Sequence, residues 1–255
     1  MQNPRIVCEK NMIDYKVKLA GVVAEVHGMF ATTKEFCRAY LTEETPRFSI
    51  IISPEDIDFE REKSIREAQL ENLPVPNFDD AYLEMTAVQR KITECLFEHD
   101  VLLFHGSVVA VDGQAYLFTA KSGTGKSTHT RFWRETFGDR AVMVNDDKPF
   151  LRLTGDGVVA CGSPWNGKHH LGNNLCVPLK AICVLERGEE NQIQPISGKN
   201  AAMILFQQSN RPMDPRKLPI YMDLVDRLSK QTSLYRMYCN LDPEAAQIAF
   251  DAMSK

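Results

Sequence analysis

The 255-residue chain predicts an α/β fold, with a larger domain over residues 77–255 behind a small α/β module at 1–76. Three features carry this. "AYLFTAKSGTGKSTHTRFW", Ala115 to Trp133, runs an apolar strand into a glycine-rich turn, then Lys-Ser, then a helix. Asp112-Gly113 and Gly155-Asp156-Gly157 are hairpin signals between short apolar runs on either side of that stretch. "LPVPNFDD", 73–80, carries two prolines and marks a boundary after the opening segment.

In chain order, the Val-rich residues 12–30 read as one or two strands. "TTKEFCRAYL", 32–41, reads as a short helix capped by Thr32 or Thr33, and "RFSIIIS", 47–53, as a strand. The charged residues 54–73 suit an exposed helix or a loose connection. Tyr82, Met85, Val88, Ile92, Cys95 and His99 recur at helical spacing, so 80–99 is an amphipathic helix. "SVVAV" and "QAYLFTA" then form a hairpin about Asp112-Gly113, and a helix follows from Ser127 until Gly138 ends it. "RAVMVNDD", 140–147, is a buried strand ending in two carboxylates. "PFLRLTGDGVVACG", 149–162, is a second hairpin, and "LKAICVLERG", 179–188, another strand. The remainder reads as helices near 199–208 and 215–230, the strand "SLYRMYCN" and a last helix from about Asp242.

Composition excludes several classes. A net charge of −4 with both signs interspersed lacks the basic field that nucleic-acid or membrane-surface binding needs. No apolar run approaches the ~20 residues of a bilayer span. The opening "MQNPRIVCEKNMIDYKVK" has no signal-peptide apolar region. Seven cysteines, an odd number without a Cys-x-x-Cys pair, make a reduced, cytoplasmic protein the simplest expectation.

The chemistry concentrates around Lys126. Gly123 and Gly125 admit backbone conformations that side chains block, which lets N–H groups converge on phosphate oxygens. With Ser122, Thr124, Lys126, Ser127 and Thr128 they form a P-loop (Walker A) pattern, in which Lys126 reaches the β- and γ-phosphates and Ser127 suits Mg²⁺. Ala120 stands where the pattern usually begins with Gly. Asp146 and Asp147 end the next predicted strand, and ligands of open α/β sheets gather at carboxyl ends of strands, so the two sites are expected to meet. One carboxylate would hold Mg²⁺ and the other accept a hydroxyl proton. "CGSPWNGKHHLGNN", 161–174, reads as a cationic loop that could close on an anion, with Asn166, Lys168 and His169 as candidate substrate contacts. Cys161, His169, His170 and Cys176 match no common zinc spacing. His129 could face a nucleotide or the core, and Phe132, Trp133 and Phe137 around it favour packing.

"HGSVVAVDGQAYLFTAKSGTGKST" resembles the C-terminal catalytic domain of HPr kinase/phosphorylase, which has a His-Gly, a hairpin, a P-loop and an Asp-Asp in the same order. The "SGTGKST" core is similar to the loop of ATP-dependent phosphoenolpyruvate carboxykinase. The likeness spans about residues 101–190. It implies a P-loop core of mixed sheet with helices, ATP and Mg²⁺ as cofactors, and transfer of the γ-phosphoryl to a hydroxyl of a small molecule or of a Ser/Thr in a peptide or carrier protein. It also implies Asp146 as base, Asp147 with Ser127 as metal ligands, and His105 as neighbour of the carboxylates. HPr kinase is a hexamer, and the resemblance permits a homo-oligomer. The Arg-Gly-Leu-Gly motif of that enzyme is absent, and "GSPWNGKHH" stands in its place. Two other functions remain: a carboxykinase-like lyase, and a nucleotide-binding regulator without acceptor chemistry.

Overall fold

The computed structural model of the chain describes residues 12–121 and 123–255. The chain folds into two compact units. One comprises the described residues up to Lys18 with Val23–Ile92, and the other Leu19–Val22 with the described residues of Thr93–Lys255. The division falls later than residue 76, because the helix after the proline-rich stretch contributes most of its length to the first unit.

In the first unit, strands β1 (Ile13–Leu19), β2 (Val22–Gly28) and β3 (Phe48–Ile51) form a sheet in that order, with β2 and β3 parallel. Helix α1 (Ala31–Phe36) starts earlier than the sequence suggests: its N-cap is Phe30, and Thr33 is buried inside it. No Thr caps this helix, and the buried Glu84 carboxylate accepts the N–H groups of Met29 at 2.9 Å and Phe30 at 3.3 Å just before it. Residues 54–70 are a helix rather than a loose connection. In α2 (Pro54–Leu70), Ser53 and Asp56 form a capping box and Pro54 takes the first turn, where its missing N–H costs nothing. Glu84 lies on α3 (Asp80–Leu96), and Arg90 of the same helix binds Glu60 at 2.5 Å and Asp56 at 3.1 Å on α2.

The second unit is built on a nine-stranded mixed sheet. Its strands are β4 (Val101–Leu103), β5 (Ser107–Val111), β6 (Gln114–Thr119), β7 (Ala141–Asn145), β8 (Phe150–Thr154), β9 (Gly157–Cys161), β10 (Cys176–Arg187), β11 (Gln192–Ile196) and β12 (Ser233–Cys239). The order is β4-β8-β9-β10-β6-β5-β7, with β12 also paired to β10 and β11 to β12. The twelve-residue β10 is the junction. Its first residues pair antiparallel with β9, and its later ones run parallel to both β6 and β12. The hairpins at Asp112-Gly113 and Gly155-Asp156 form as the turn residues predict.

Period-two alternation sorts side chains to the two faces. Val108, Ala110 and Leu117 join Leu205 of α5 (Lys199–Gln208) and Tyr221, Leu224 and Leu228 of α6 (Leu218–Gln231) in one core. Val109, Val111, Tyr116 and Phe118 join Phe132, Trp133 and Phe137 of α4 (Lys126–Phe137) and Ala246 and Ala249 of α7 (Glu244–Met253) in the other. Both faces of β5 are covered, which is why all five of its residues are buried. Strand β4, at three residues, is too short to stand out in the sequence, and β11, "QIQPI", is masked by its polar residues and proline. Among the described residues, no helix is long and apolar enough to cross a membrane.

Candidate functional site

The strand–turn–helix stretch folds as its residues require. Strand β6 ends at Thr119, and α4 begins at Lys126. Gly123 and Gly125 take φ of 75° and 125°, conformations that L side chains rarely adopt. Gly125 is the N-cap and makes no side-chain capping bond, so the first N–H groups of α4 are left to an external acceptor. Ser122 lies outside the described residues.

Strands β6 and β7 both run antiparallel to β5 and are therefore parallel to each other, so their carboxyl ends share one edge. Asp146 and Asp147 follow β7 there. A cleft of about 480 Å³ is lined by His105, the loop residues Gly123 to Thr128, both aspartates, Gly167, Lys168 and His169. It brings together every described site residue anticipated from sequence except Asn166.

The two carboxylates are held differently. Asp147 Oδ1 lies 3.4 Å from His105 Nε2. Burial pushes the Asp147 carboxyl up, but the His105 hydrogen bond and the charges of Lys148, His105 and Lys126 outweigh it and hold the group below the usual range. Burial pushes the Lys126 ammonium down, opposed by Asp147. Lys126 Nζ donates to Ala120 O at 3.3 Å, which folds it over the loop. Asp146 Oδ1 accepts the Gly167 N–H at 2.8 Å. A Cβ on Gly167 would lie 3.2 Å from Asp146 Oδ2, so glycine there lets backbone approach the carboxylate.

Sequence reasoning missed Asn145, which organises this edge. It is fully buried. Its Oδ1 accepts the N–H groups of Asp147 at 2.8 Å and Lys148 at 2.6 Å, which turns the chain after β7. Its Nδ2 donates to Ser163 O, Ser163 Oγ and Asn166 Oδ1, which ties down the 161–174 loop. Asn166 therefore supports the loop through Asn145. The signal available was an amide directly before Asp-Asp at a strand end. Arg187 is a second omission: from the end of β10 it donates to Gly123 O at 2.8 Å.

Two expectations are corrected or resolved. Cys161 and Cys176 form a disulfide, so the reduced-cysteine reading does not hold for this pair. They stand directly opposite in the antiparallel β9–β10 pairing, a register that spacing alone does not reveal. The bond closes the base of the 161–174 loop, and the two sulfurs are not zinc ligands. Among the described residues no group of three or more His, Cys, Asp or Glu side chains could hold a metal by itself. His129 belongs to the core: it is buried, its Nε2 accepts from Trp133 Nε1 at 3.1 Å, and burial pushes its imidazole down to about 3.

Fold and site define a mixed-sheet α/β protein in which a glycine-rich turn and helix N-terminus face a pair of aspartates. The chain belongs to the SynChlorMet cassette protein ScmC family, whose model matches residues 71–242. No curated protein matches it in sequence. Among solved structures, the Hpr(Ser) kinase/phosphatase from Coxiella burnetii is similar at 16% identity over 49% of this chain and 93% of that chain, with a TM-score of 0.29.

Proposed function

We propose that the protein is an ATP-dependent, Mg²⁺-requiring phosphotransferase acting on an alcohol group, with the 480 Å³ cleft as its active site. The observation that carries this reading is the meeting, in one cleft, of the Gly123–Thr128 turn with Asp146 and Asp147. The residues fit the nucleotide and metal. Two glycines at positive φ, an uncapped helix N-terminus and a lysine suit phosphate, and the Ser127 hydroxyl with the Asp147 carboxylate supplies the hard oxygen donors that Mg²⁺ prefers. Mg²⁺, when bound, would neutralise charge on the β- and γ-phosphates.

The remaining chemistry belongs to the chain. Lys126 holds the phosphates and stabilises charge on the moving phosphoryl. Asp146 accepts the proton of the acceptor hydroxyl. The acceptor oxygen bonds to the γ-phosphorus as the bond to the β,γ-bridging oxygen breaks and ADP departs. His105 keeps Asp147 oriented and ionised through the 3.4 Å contact. Lys168 and His169, on the wall of the cleft, help to grip the acceptor.

The test uses γ-labelled ATP and calorimetric ATP binding. Lys126→Ala should lose both ATP binding and transfer. Asp146→Asn should keep ATP binding while transfer falls by about 10²–10⁴-fold, the usual worth of a general base. Wild-type transfer in Asp146→Asn would sink the base assignment. ATP bound tightly with no label moved to any acceptor would favour a regulator instead.

A further inference from the structure

A second cavity, of about 290 Å³, adjoins the cleft and shares Ser127, Asp146 and His169 with it. Its remaining wall includes Thr130, Arg131 and Arg134 of α4. These follow Ser127 at i+3, i+4 and i+7, so they form one stripe of the helix, away from the buried His129, Trp133 and Phe137. The stripe leads from the phosphate turn to the cavity. Two arginines and one acidic residue, Asp146, line this cavity, so cationic side chains outnumber acidic ones there. Arg134 Nε is buried with no hydrogen-bond partner. Arg131 lies over the Phe132 ring at 5.3 Å, and its ion pair with Glu135 is long, at 3.7 Å, with both side chains more than half exposed. A paired fork of N–H donors suits carboxylate or phosphate. At about 290 Å³ the cavity sits at the lower end of ligand sites, a size that suits a small charged group.

We propose that this cavity is the acceptor site and that the acceptor is anionic, its carboxylate or phosphate seated on Arg131 and Arg134 while its hydroxyl faces Asp146. The proposal rests on the phosphotransferase reading. It narrows the acceptor to an alcohol bearing a negative group nearby, either a free hydroxy acid or a Ser/Thr beside an acidic group in a peptide. The bond changes are those above: the acceptor oxygen joins the γ-phosphorus, ADP leaves and Asp146 takes the proton.

The 255-residue protein, Mg²⁺ and γ-labelled ATP are combined with two paired sets of probes. One pairs glycerate and glycerol 3-phosphate with glycerol. The other pairs Ser-centred heptapeptides flanked by Glu with the same peptides flanked by Gln. Label favouring the anionic members of either set by tenfold or more supports the proposal, and the set labelled identifies the source of the anion. Arg131→Gln/Arg134→Gln, which keeps the aliphatic stems, should raise KM for the anionic acceptor at least tenfold with ATP affinity unchanged. Arg134→Lys should recover part of that loss. Equal labelling of neutral members, or an unchanged KM in the double variant, overturns it. ATP binding with no anionic probe labelled overturns the acceptor assignment and leaves the nucleotide site standing. Failure of the wild type to bind ATP overturns the phosphotransferase reading as well.

Discussion

Asn145 shows how much one buried amide does at this site. It bonds to two backbone N–H groups and to two residues of the 161–174 loop, so it links the carboxylate turn to the loop. Asn145→Ala removes the acceptor of the part-buried Asp147 and Lys148 N–H groups, and each such loss costs about 1–3 kcal/mol. The variant should be destabilised by roughly 2–4 kcal/mol in urea unfolding, and phosphoryl transfer should fall further than ATP affinity. A variant with wild-type stability would refute this role. His129 makes the opposite case, since its titration is a stability effect. Its imidazole stays neutral down to about 3 in the fold, against 6.5 in an unfolded chain. The unfolded state therefore binds an extra proton between those values, and stability falls as pH drops below 6.5, by up to about 1.4 kcal/mol per pH unit. His129→Gln keeps an acceptor for Trp133 Nε1 and removes the titration. Between pH 6.5 and 5 the wild type should lose about 2 kcal/mol more than this variant in denaturant melts, and equal slopes would show that His129 is not the group responsible.

Among the elements, the 161–174 loop carries the largest correction. Its Gly, Asn and His content was legible as a cationic loop, and Lys168 and His169 do line the cleft. Its staple was not legible, because a cross-strand disulfide depends on the register of β9 against β10. The two cysteines are 15 positions apart. In the chain-entropy account a loop of that size makes such a bond worth about 3 kcal/mol. Cys161→Ser/Cys176→Ser should lower stability by roughly that amount, and dithiothreitol should do the same to the wild type but not to the double variant. An insensitive wild type would show that the bond contributes nothing in solution. Helix α4 was legible from its glycine-rich entrance and Gly138 exit, since both signals are local.

For the whole molecule, the proline-rich stretch at 73–80 suggested a division at residue 76, whereas the first compact unit extends to Ile92. The two boundaries describe different things: one is a break in regular structure, the other the edge of a packed body. Residues 71–79 are irregular and mostly exposed, and Leu70 just before them is 84% exposed. We expect brief chymotrypsin treatment to cut first after Leu70 or Phe78 and to leave α3 intact, as read by mass spectrometry of the fragments. Early cuts inside 80–96 would contradict the helix as a protected element. In the second unit, β10 pairs antiparallel with β9 and parallel with β6 and β12, so cuts there should appear last.

The sequence by itself determined the strand–turn–helix at Lys126, both hairpins of the second unit and the amphipathic α3. Each depends on turn residues, periodicity or caps acting within a few positions. Only the tertiary structure decided that Glu84 binds the backbone before α1, that Cys161 meets Cys176, that Asn145 braces the loop and that Arg131 and Arg134 border a cavity with Asp146. The disulfide joins residues 15 positions apart, the Asn145 brace 21 and the Glu84–Met29 bond 55. Such contacts depend on strand register and on which face of a helix meets a neighbour, and local sequence rules specify neither.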